Sequence, residues 1–152
     1  RNYIHSIIDI GTGSGCIPIT LKLLFPNIEI SALDISESAL KIAAKNAATF
    51  KSEINFIHGD ILTNIIFEKK FDIIVSNPPY EVKDLTKFLE FVDEHLNETG
   101  KAILLIPSGF LDKQRPANLV KVLNEFFIEL REPMTEKFER TGVVAEIVVL
   151  SK

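Results

Sequence analysis

Short apolar runs rich in β-branched residues recur along this chain, and between them the apolar positions space out to three and four. The first run, residues 3–10, holds Ile4, Ile7, Ile8 and Ile10, as expected of a strand covered on both faces. Residues 16–25 carry Ile17, Leu21, Leu24 and Phe25 at helical spacing; Pro18 is tolerated in the first turn and Pro26-Asn27 ends the helix. Residues 29–33 predict a second strand, closing at Asp34. Ser36 is a good N-cap for a helix over 36–50, in which Ala39, Leu40, Ala43, Ala44 and Ala47 allow close approach to a sheet while Lys41 and Lys45 face out. Residues 54–58 predict a third strand closed by Gly59-Asp60, and 62–67 a short helix. A fourth strand, again central, is predicted over 71–76. Leu85, Phe88, Leu89, Val92 and Leu96 form one face of a helix over 85–96. Residues 100–107 predict a fifth strand, and 118–127 a helix with Leu119, Val122, Leu123 and Phe126 inward. The last two strands, 127–131 and 145–150, are expected to pair antiparallel through the polar stretch 135–142.

Alternation of strand and helix predicts an α/β fold: a Rossmann-like, doubly wound, seven-stranded and mostly parallel sheet, with an antiparallel last strand and helices on both faces. No repeat or linker interrupts the pattern, so residues 1–152 are expected to form a single domain. The composition agrees, with 46% hydrophobic and 25% charged residues over 152 positions. A net charge of −4 argues against a broad nucleic-acid footprint, though it leaves room for a local basic patch. Cys16 is the only cysteine, which excludes an internal disulfide and makes a cytoplasmic setting the default. Its ordinary reading is a small buried residue at a helix start. His5, His58 and His95 are scattered, so no metal is expected. No apolar run approaches the roughly 18 residues of a membrane span, and no signal peptide is expected.

In such a sheet, ligands bind beyond the carboxyl ends of the strands. The first strand runs into Asp9-Ile10-Gly11-Thr12-Gly13-Ser14-Gly15, where glycines allow unusual φ angles and close approach of a ligand. Asp34, at the end of the second strand, can accept both hydroxyls of a ribose, and Asp60, at the end of the third, can face an adenine amino group. A dinucleotide fold wants Gly-x-Gly-x-x-Gly, but the third glycine here is Gly15 and Cys16 holds the later slot. A tight turn without a ligand is the plain alternative, weakened by the acids at the next two strand ends.

The fourth strand runs into Asn77-Pro78-Pro79-Tyr80. Two consecutive prolines remove two amide donors and leave the carbonyls of Asn77 and Pro78 free to face a cleft. The Asn77 side-chain oxygen and the Pro78 carbonyl can each accept one N–H from a planar acceptor carrying an NH2 group. Tyr80 can pack against its flat face. Such a nitrogen is a poor nucleophile, and positioning with carbonyl dipoles is expected to carry the catalysis.

Ile8-Asp-Ile-Gly-Thr-Gly-Ser-Gly-Cys16, Ala32-Leu-Asp-Ile-Ser36, His58-Gly-Asp60 and Phe71-Asp-Ile-Ile-Val-Ser-Asn-Pro-Pro-Tyr80 resemble the class I methyltransferases, and among them the HemK-type enzymes that methylate the glutamine of the Gly-Gly-Gln motif in peptide chain release factors. The resemblance covers residues 7–80. It implies S-adenosyl-L-methionine as cofactor, with S-adenosyl-L-homocysteine as product. It also implies cofactor contacts from Asp9, Gly11, Thr12, Gly13, Gly15, Asp34, Ile35, Asp60, Ile61 and Asn77, with Asp9 near the cationic end of the cofactor. The catalytic set it implies is Asn77, Pro78, Pro79 and Tyr80, and the implied partner is a protein substrate, a release factor. Asn-Pro-Pro-Tyr is shared with enzymes that methylate the exocyclic amine of adenine in RNA or DNA, so adenine is the alternative acceptor. Ile106-Pro-Ser-Gly-Phe-Leu111 and the stretch from Gly142 to Val149 resemble that adenine type or generic methyltransferases. The HemK-type family also carries a helical N-terminal recruitment domain, not expected within these residues, and a longer segment after its Pro-Pro-Tyr than residues 81–100. A non-catalytic binding module of the same fold is a further reading; intact glycine and Asn77 motifs speak against it. Lys113, Arg115, Lys137 and Arg140 fall on expected loops that could border the acceptor cleft.

Overall fold

The computed structural model describes residues 3–63, 65, 67–113, 115–137 and 144–152. Seven strands, β1 (Ser6–Ile10), β2 (Glu29–Asp34), β3 (Asn55–His58), β4 (Phe71–Ser76), β5 (Leu96–Pro107), β6 (Phe127–Lys137) and β7 (Val144–Ser151), form one sheet in the order β3-β2-β1-β4-β5-β7-β6. The first five run parallel, and β7 lies antiparallel between β5 and β6. The expected architecture therefore holds. The order of strands reverses between β1 and β4, which opens a crevice at their carboxyl ends.

Helices α1 (Cys16–Leu24) and α2 (Glu37–Thr49) lie over β1, β2 and β3. Helices α3 (Val82–His95) and α4 (Ala117–Leu123) pack together elsewhere on the sheet. Alternate residues of each strand serve the two layers. Ile8, Ile10, Ile74, Leu104, Ile106, Val148 and Leu150 join Leu85, Phe88, Leu89, Val92 and Leu119 in one core. The amphipathic face expected of α3 is thus the buried one.

Several boundaries differ from expectation. Helix α3 starts at Val82, one turn early, and β5 begins directly at Leu96, where the sheet absorbs a register irregularity opposite Phe71 and Ile73. Strand β6 runs on to Lys137, and α4 stops at Leu123 although Phe126 still reaches the core. The helix expected over 62–67 contracts to a single 3-10 turn, Ile61–Thr63; residues 64 and 66 lie outside the described residues, as does the end of the 135–142 link.

Helix α1 buries a face that its apolar spacing does not indicate. Pro18 and Ile19 are buried, while Ile17, Leu24 and Phe25 are exposed. The helix leaves the glycine turn with Ile19 N–H bonded to the Gly15 carbonyl, and that fixes its phase. Cys16 is exposed too, contrary to the sequence reading, with its sulfur 3.2 Å from the Ser14 hydroxyl.

Asp72 ties the opposite end of the sheet. Its carboxylate accepts the His5 and Ser6 amides, the Ser6 hydroxyl and the Asn97 amide, joining β1, β4 and β5. Burial works to raise its pKa, but these hydrogen bonds outweigh burial and hold it below the usual carboxylate value. A depressed pKa contributes stability that is present above the unfolded value and is lost as pH falls through the folded one. Asp72→Ala should cost about 2–3 kcal/mol at pH 7 by urea denaturation. That cost should shrink as pH falls below about 4. A loss that does not depend on pH would show that the charge is irrelevant.

Candidate active site

The crevice forms where β1, β2 and β4 end. A cavity of about 200 Å³ there is lined by Ile10, Gly11, Leu33, Asp34, Ile35, Gly59, Asp60, Ile61, Leu62, Ser76, Asn77 and Pro79. The sequence-predicted residues Gly11, Asp34, Ile35, Asp60, Ile61, Asn77 and Pro79 therefore meet in one place. Asp9, Thr12, Gly13, Gly15, Pro78 and Tyr80 stand behind or beside that lining.

Glycine is required in the turn for two separate reasons. Gly11, Gly13 and Gly15 have φ of 76°, 56° and 81°, a region that side chains rarely tolerate. A Cβ on Gly11 or Gly13 would meet nothing within 4 Å, so their outer side is open space. A Cβ on Gly15 would instead stand 3.0 Å from the Cβ of Ala43, which presses α2 against the turn.

Asp34 holds the turn in place. Its Oδ2 accepts Gly13 N–H at 2.8 Å and its Oδ1 accepts Ser36 N–H at 2.8 Å. Ser36 in turn caps α2, its hydroxyl accepting Ala39 N–H at 3.2 Å. The Leu33 carbonyl accepts the amides of Gly11 and Thr12, and the Asn46 side chain donates to the Ser14 carbonyl at 2.9 Å. Each carboxylate oxygen of Asp34 keeps a lone pair beyond these bonds. Across the crevice, Asp60 Oδ1 accepts Leu62 N–H at 2.8 Å and shapes the 3-10 turn that brings Ile61 and Leu62 to the wall. Ile35 is 65% exposed, an apolar side chain lying open at the rim.

Beneath the turn, Asp9 is 1% exposed. Its Oδ2 has no hydrogen-bond partner among the described residues, nor has the buried Thr12 hydroxyl. Burial is the main reason its pKa rises to about 6; the nearby Thr12 hydroxyl opposes the rise and the charge of Asp34 adds to it. A buried, unsatisfied carboxylate beside a cradle of open backbone is an arrangement that favours a cation above it.

At the end of β4, Ser76 is buried and donates its hydroxyl to the Ile10 carbonyl at 2.8 Å, locking β4 to β1 where the chain leaves the sheet. Pro78 is buried, and Asn77, Pro79 and Tyr80 are exposed. The Tyr80 hydroxyl donates to Asn77 Oδ1 and lies 3.4 Å from the Leu105 carbonyl of β5. Burial raises the Tyr80 pKa, so its hydroxyl keeps its proton. The ring was expected to serve as a packing face; its hydroxyl also orients the Asn77 amide.

Leu33, Asn46 and Ser76 lie in stretches that carry the resemblance but had no role assigned to them, and Leu62 belongs to no motif; register and turn geometry bring them to the site. His58 is exposed at the strand end, its Nε2 2.9 Å from the Ile35 carbonyl. Lys113 is exposed on the loop after β5, Arg115 stacks 3.7 Å over the Phe110 ring, and Arg140 and the Lys137 side chain lie outside the described residues. Among the described residues there is no cluster of three or more His, Cys, Asp or Glu suited to a metal ion, and no helix long and apolar enough to cross a membrane.

The profile of the family described as methyltransferase small domain matches residues 2–145. A release factor glutamine methyltransferase of Koribacter versatilis is 49% identical over 80 residues, covering 53% of this chain and 29% of the relative. One from Flavobacterium psychrophilum is 46% identical over 94 residues, covering 59% of this chain and 33% of the relative. The chain therefore spans about a third or less of the length of these relatives. Among solved structures, TrmN from Thermus thermophilus superposes with a TM-score of 0.75 at 28% identity, over 97% of this chain and 44% of that one.

The raised pKa of Asp9 makes the folded protein more stable when Asp9 is protonated. That stability is fully present below the unfolded value of 3.8 and is lost as pH rises through about 6. Above pH 6 the buried charge costs up to about 3 kcal/mol. Asp9→Asn should therefore stabilise the ligand-free protein at pH 7.5 by about 1–3 kcal/mol, and by much less at pH 4.5, in denaturant titrations at both pH values. A variant less stable than wild type at pH 7.5 would show that the Asp9 carboxylate is satisfied in the folded protein.

Proposed function

Because this chain belongs to the methyltransferase small domain family, and is by that membership an S-adenosylmethionine-dependent methyltransferase, we propose that residues 1–152 form one catalytic domain that methylates the side-chain amide nitrogen of a protein glutamine, in a substrate of the peptide chain release factor type. The observation that carries the reading is the position of Asn77 just past the end of β4, in the lining of the crevice that also holds Gly11, Asp34 and Asp60, with Pro78 next to it in the chain. Relatives 44–49% identical over about half the chain are named release factor glutamine methyltransferases, which supports the glutamine acceptor.

The residues present fit the donor. S-adenosylmethionine supplies an electrophilic methyl group on a positively charged sulfur. Asp9, unsatisfied and buried, offers the negative potential for the cationic end, and the open outer sides of Gly11 and Gly13 admit it without a clash. Asp34 has lone pairs left for a ribose, and Asp60 can take an adenine amino group. Ile35, Ile61 and Leu62 offer apolar surface for the adenine ring.

At the acceptor side, Asn77 Oδ1 keeps one lone pair beside the one used by Tyr80, and among the described residues no donor reaches the Pro78 carbonyl. Two N–H groups of a planar amide can be held there, which turns the nitrogen toward the donor. Methyl transfer to that nitrogen would make it positive and its protons acidic. The two carbonyl dipoles favour that charge, and the proton leaves to solvent. Among the described residues, Asn77 to Tyr80 offer no strong base, and none is needed for a proton this acidic.

Methyl transfer from labelled S-adenosylmethionine, with a release factor, RNA and DNA supplied in parallel, tests the acceptor. Label on a glutamine of the release factor is expected; label on adenine would replace this reading. Asn77→Ala should lower turnover about 100-fold or more, the scale of losing a dipole aimed at developing charge. Its affinity for S-adenosylhomocysteine should stay within about threefold of wild type, since the lost group serves the acceptor side. An equal loss of both would mean that Asn77 serves the donor alone.

A further inference from the structure

The loop after β5 is held by a charge network that neither the donor nor the acceptor chemistry explains. Glu146 on β7 is 2% exposed, opposite Ile106 at the end of β5. Arg131 on β6 reaches it with Nε at 3.2 Å from Oε2, and with Nη2 at 2.9 Å from Oε1 and 3.0 Å from Oε2. The same guanidinium grips Asp112 in the loop: Nη1 donates to Oδ1 at 2.7 Å and Nη2 to Oδ2 at 2.9 Å. One arginine thus makes a two-pronged contact with a buried acid behind it and with an exposed acid in front.

A buried ion pair is a poor way to gain stability, because desolvation consumes most of the attraction, and an apolar pair of similar volume often serves better. What such a pair does well is fix one geometry. Here the geometry is that of residues 108–113. Their turn is built on the Phe110 N–H to Pro107 carbonyl bond, Asp112 N–H to the Gly109 carbonyl, and Gly109 at φ 71°. Ser108 N–H, bonded to the Val144 carbonyl at 2.8 Å, ties its start to β7. Ser76 pairs with Leu104, so Asn77 stands alongside Leu105, whose carbonyl lies 3.4 Å from the Tyr80 hydroxyl. The 108–113 turn therefore continues the rim on which Asn77 and Tyr80 stand, on the side away from Gly11 and Asp34.

We infer that Arg131 is a positioning residue for the acceptor: by bridging buried Glu146 to Asp112 it fixes the 108–113 turn as the far wall of the acceptor cleft, and it has no part in holding the donor. The inference rests on the reading of residues 77–80 as the acceptor rim. The acceptor's own chain, beyond the nitrogen held at Asn77, is what this wall would register.

Asp112→Asn is the decisive variant. Asp112 is exposed, so the pair of half-buried Arg131 with buried Glu146, and the fold with it, should survive its change. Hydrogen exchange of the Phe110 and Asp112 amides should quicken about tenfold, while amides of α2 and the Gly11–Gly15 turn stay as in wild type. With the acceptor that wild type methylates, KM should rise about tenfold, kcat should change little and the Kd for S-adenosylhomocysteine should not move. Asp112→Glu should recover most of the loss, and Arg131→Lys, which keeps the charge but not the fork, should not. Unchanged exchange in Asp112→Asn would overturn the clamp. Faster exchange with an unchanged KM, or a parallel loss of donor affinity, would overturn its role toward the acceptor. Wild type that methylates no acceptor would count against the proposed function instead, and the exchange result would still decide the clamp.

Discussion

The carboxylate of Asp34 joins the parts of the ligand edge. One oxygen accepts the amide of Gly13 and the other accepts that of Ser36, so a single side chain at the end of β2 fixes both the glycine turn after β1 and the start of α2. The rest follows from those two anchors. With α2 started at Ser36, Ala43 comes within contact of Gly15 and Asn46 reaches the Ser14 carbonyl. The turn is then braced from two sides, and its outer faces at Gly11 and Gly13 are left open. Helices whose N-terminal turns rest on a strand-end acid are a compact solution to a parallel sheet, where the ligand edge is otherwise made of loops.

The acids at this edge have different tasks because their surroundings differ. Asp34 spends part of its hydrogen-bonding capacity on backbone amides, and Asp60 does the same at Leu62. Asp9 has no such compensation, and burial pushes it up to about 6. A charge without a partner is costly in the fold and would become favourable beside a cation, the ordinary trade between stability and function. On the other side of Asn77 the logic reverses. Glu146 is just as buried but fully paired, and its pairing serves shape.

Much of this was legible in the sequence. The alternation of apolar runs specified the sheet and the face of α3, because strands covered on both sides and an amphipathic helix leave strong periodic signals. Asp34, Asp60 and the motif at Asn77 could be placed because each lies at or just past a strand end, and Asp9 because it stands directly before the glycine turn. Helix α1 was harder. Its apolar spacing pointed to Ile17, Leu24 and Phe25, but the phase was set by the chain's exit from Gly15, which periodicity does not encode. The Arg131 network joins side chains 15 and 19 residues apart through register, and the Tyr80 hydroxyl meets Asn77 through the shape of the turn, so periodicity announces neither.

The central claim is that a buried, unpaired Asp9 supplies the charge that meets the donor's cationic end. Calorimetric titration of S-adenosylmethionine into wild type and Asp9→Asn between pH 5 and 8 tests it most directly. The account predicts that wild-type affinity is constant above pH 7 and falls by about tenfold per unit below pH 6, as Asp9 takes up a proton. It also predicts that Asp9→Asn binds weakly with a flat profile. A flat wild-type profile, or a variant that binds as tightly as wild type at pH 7.5, would contradict it.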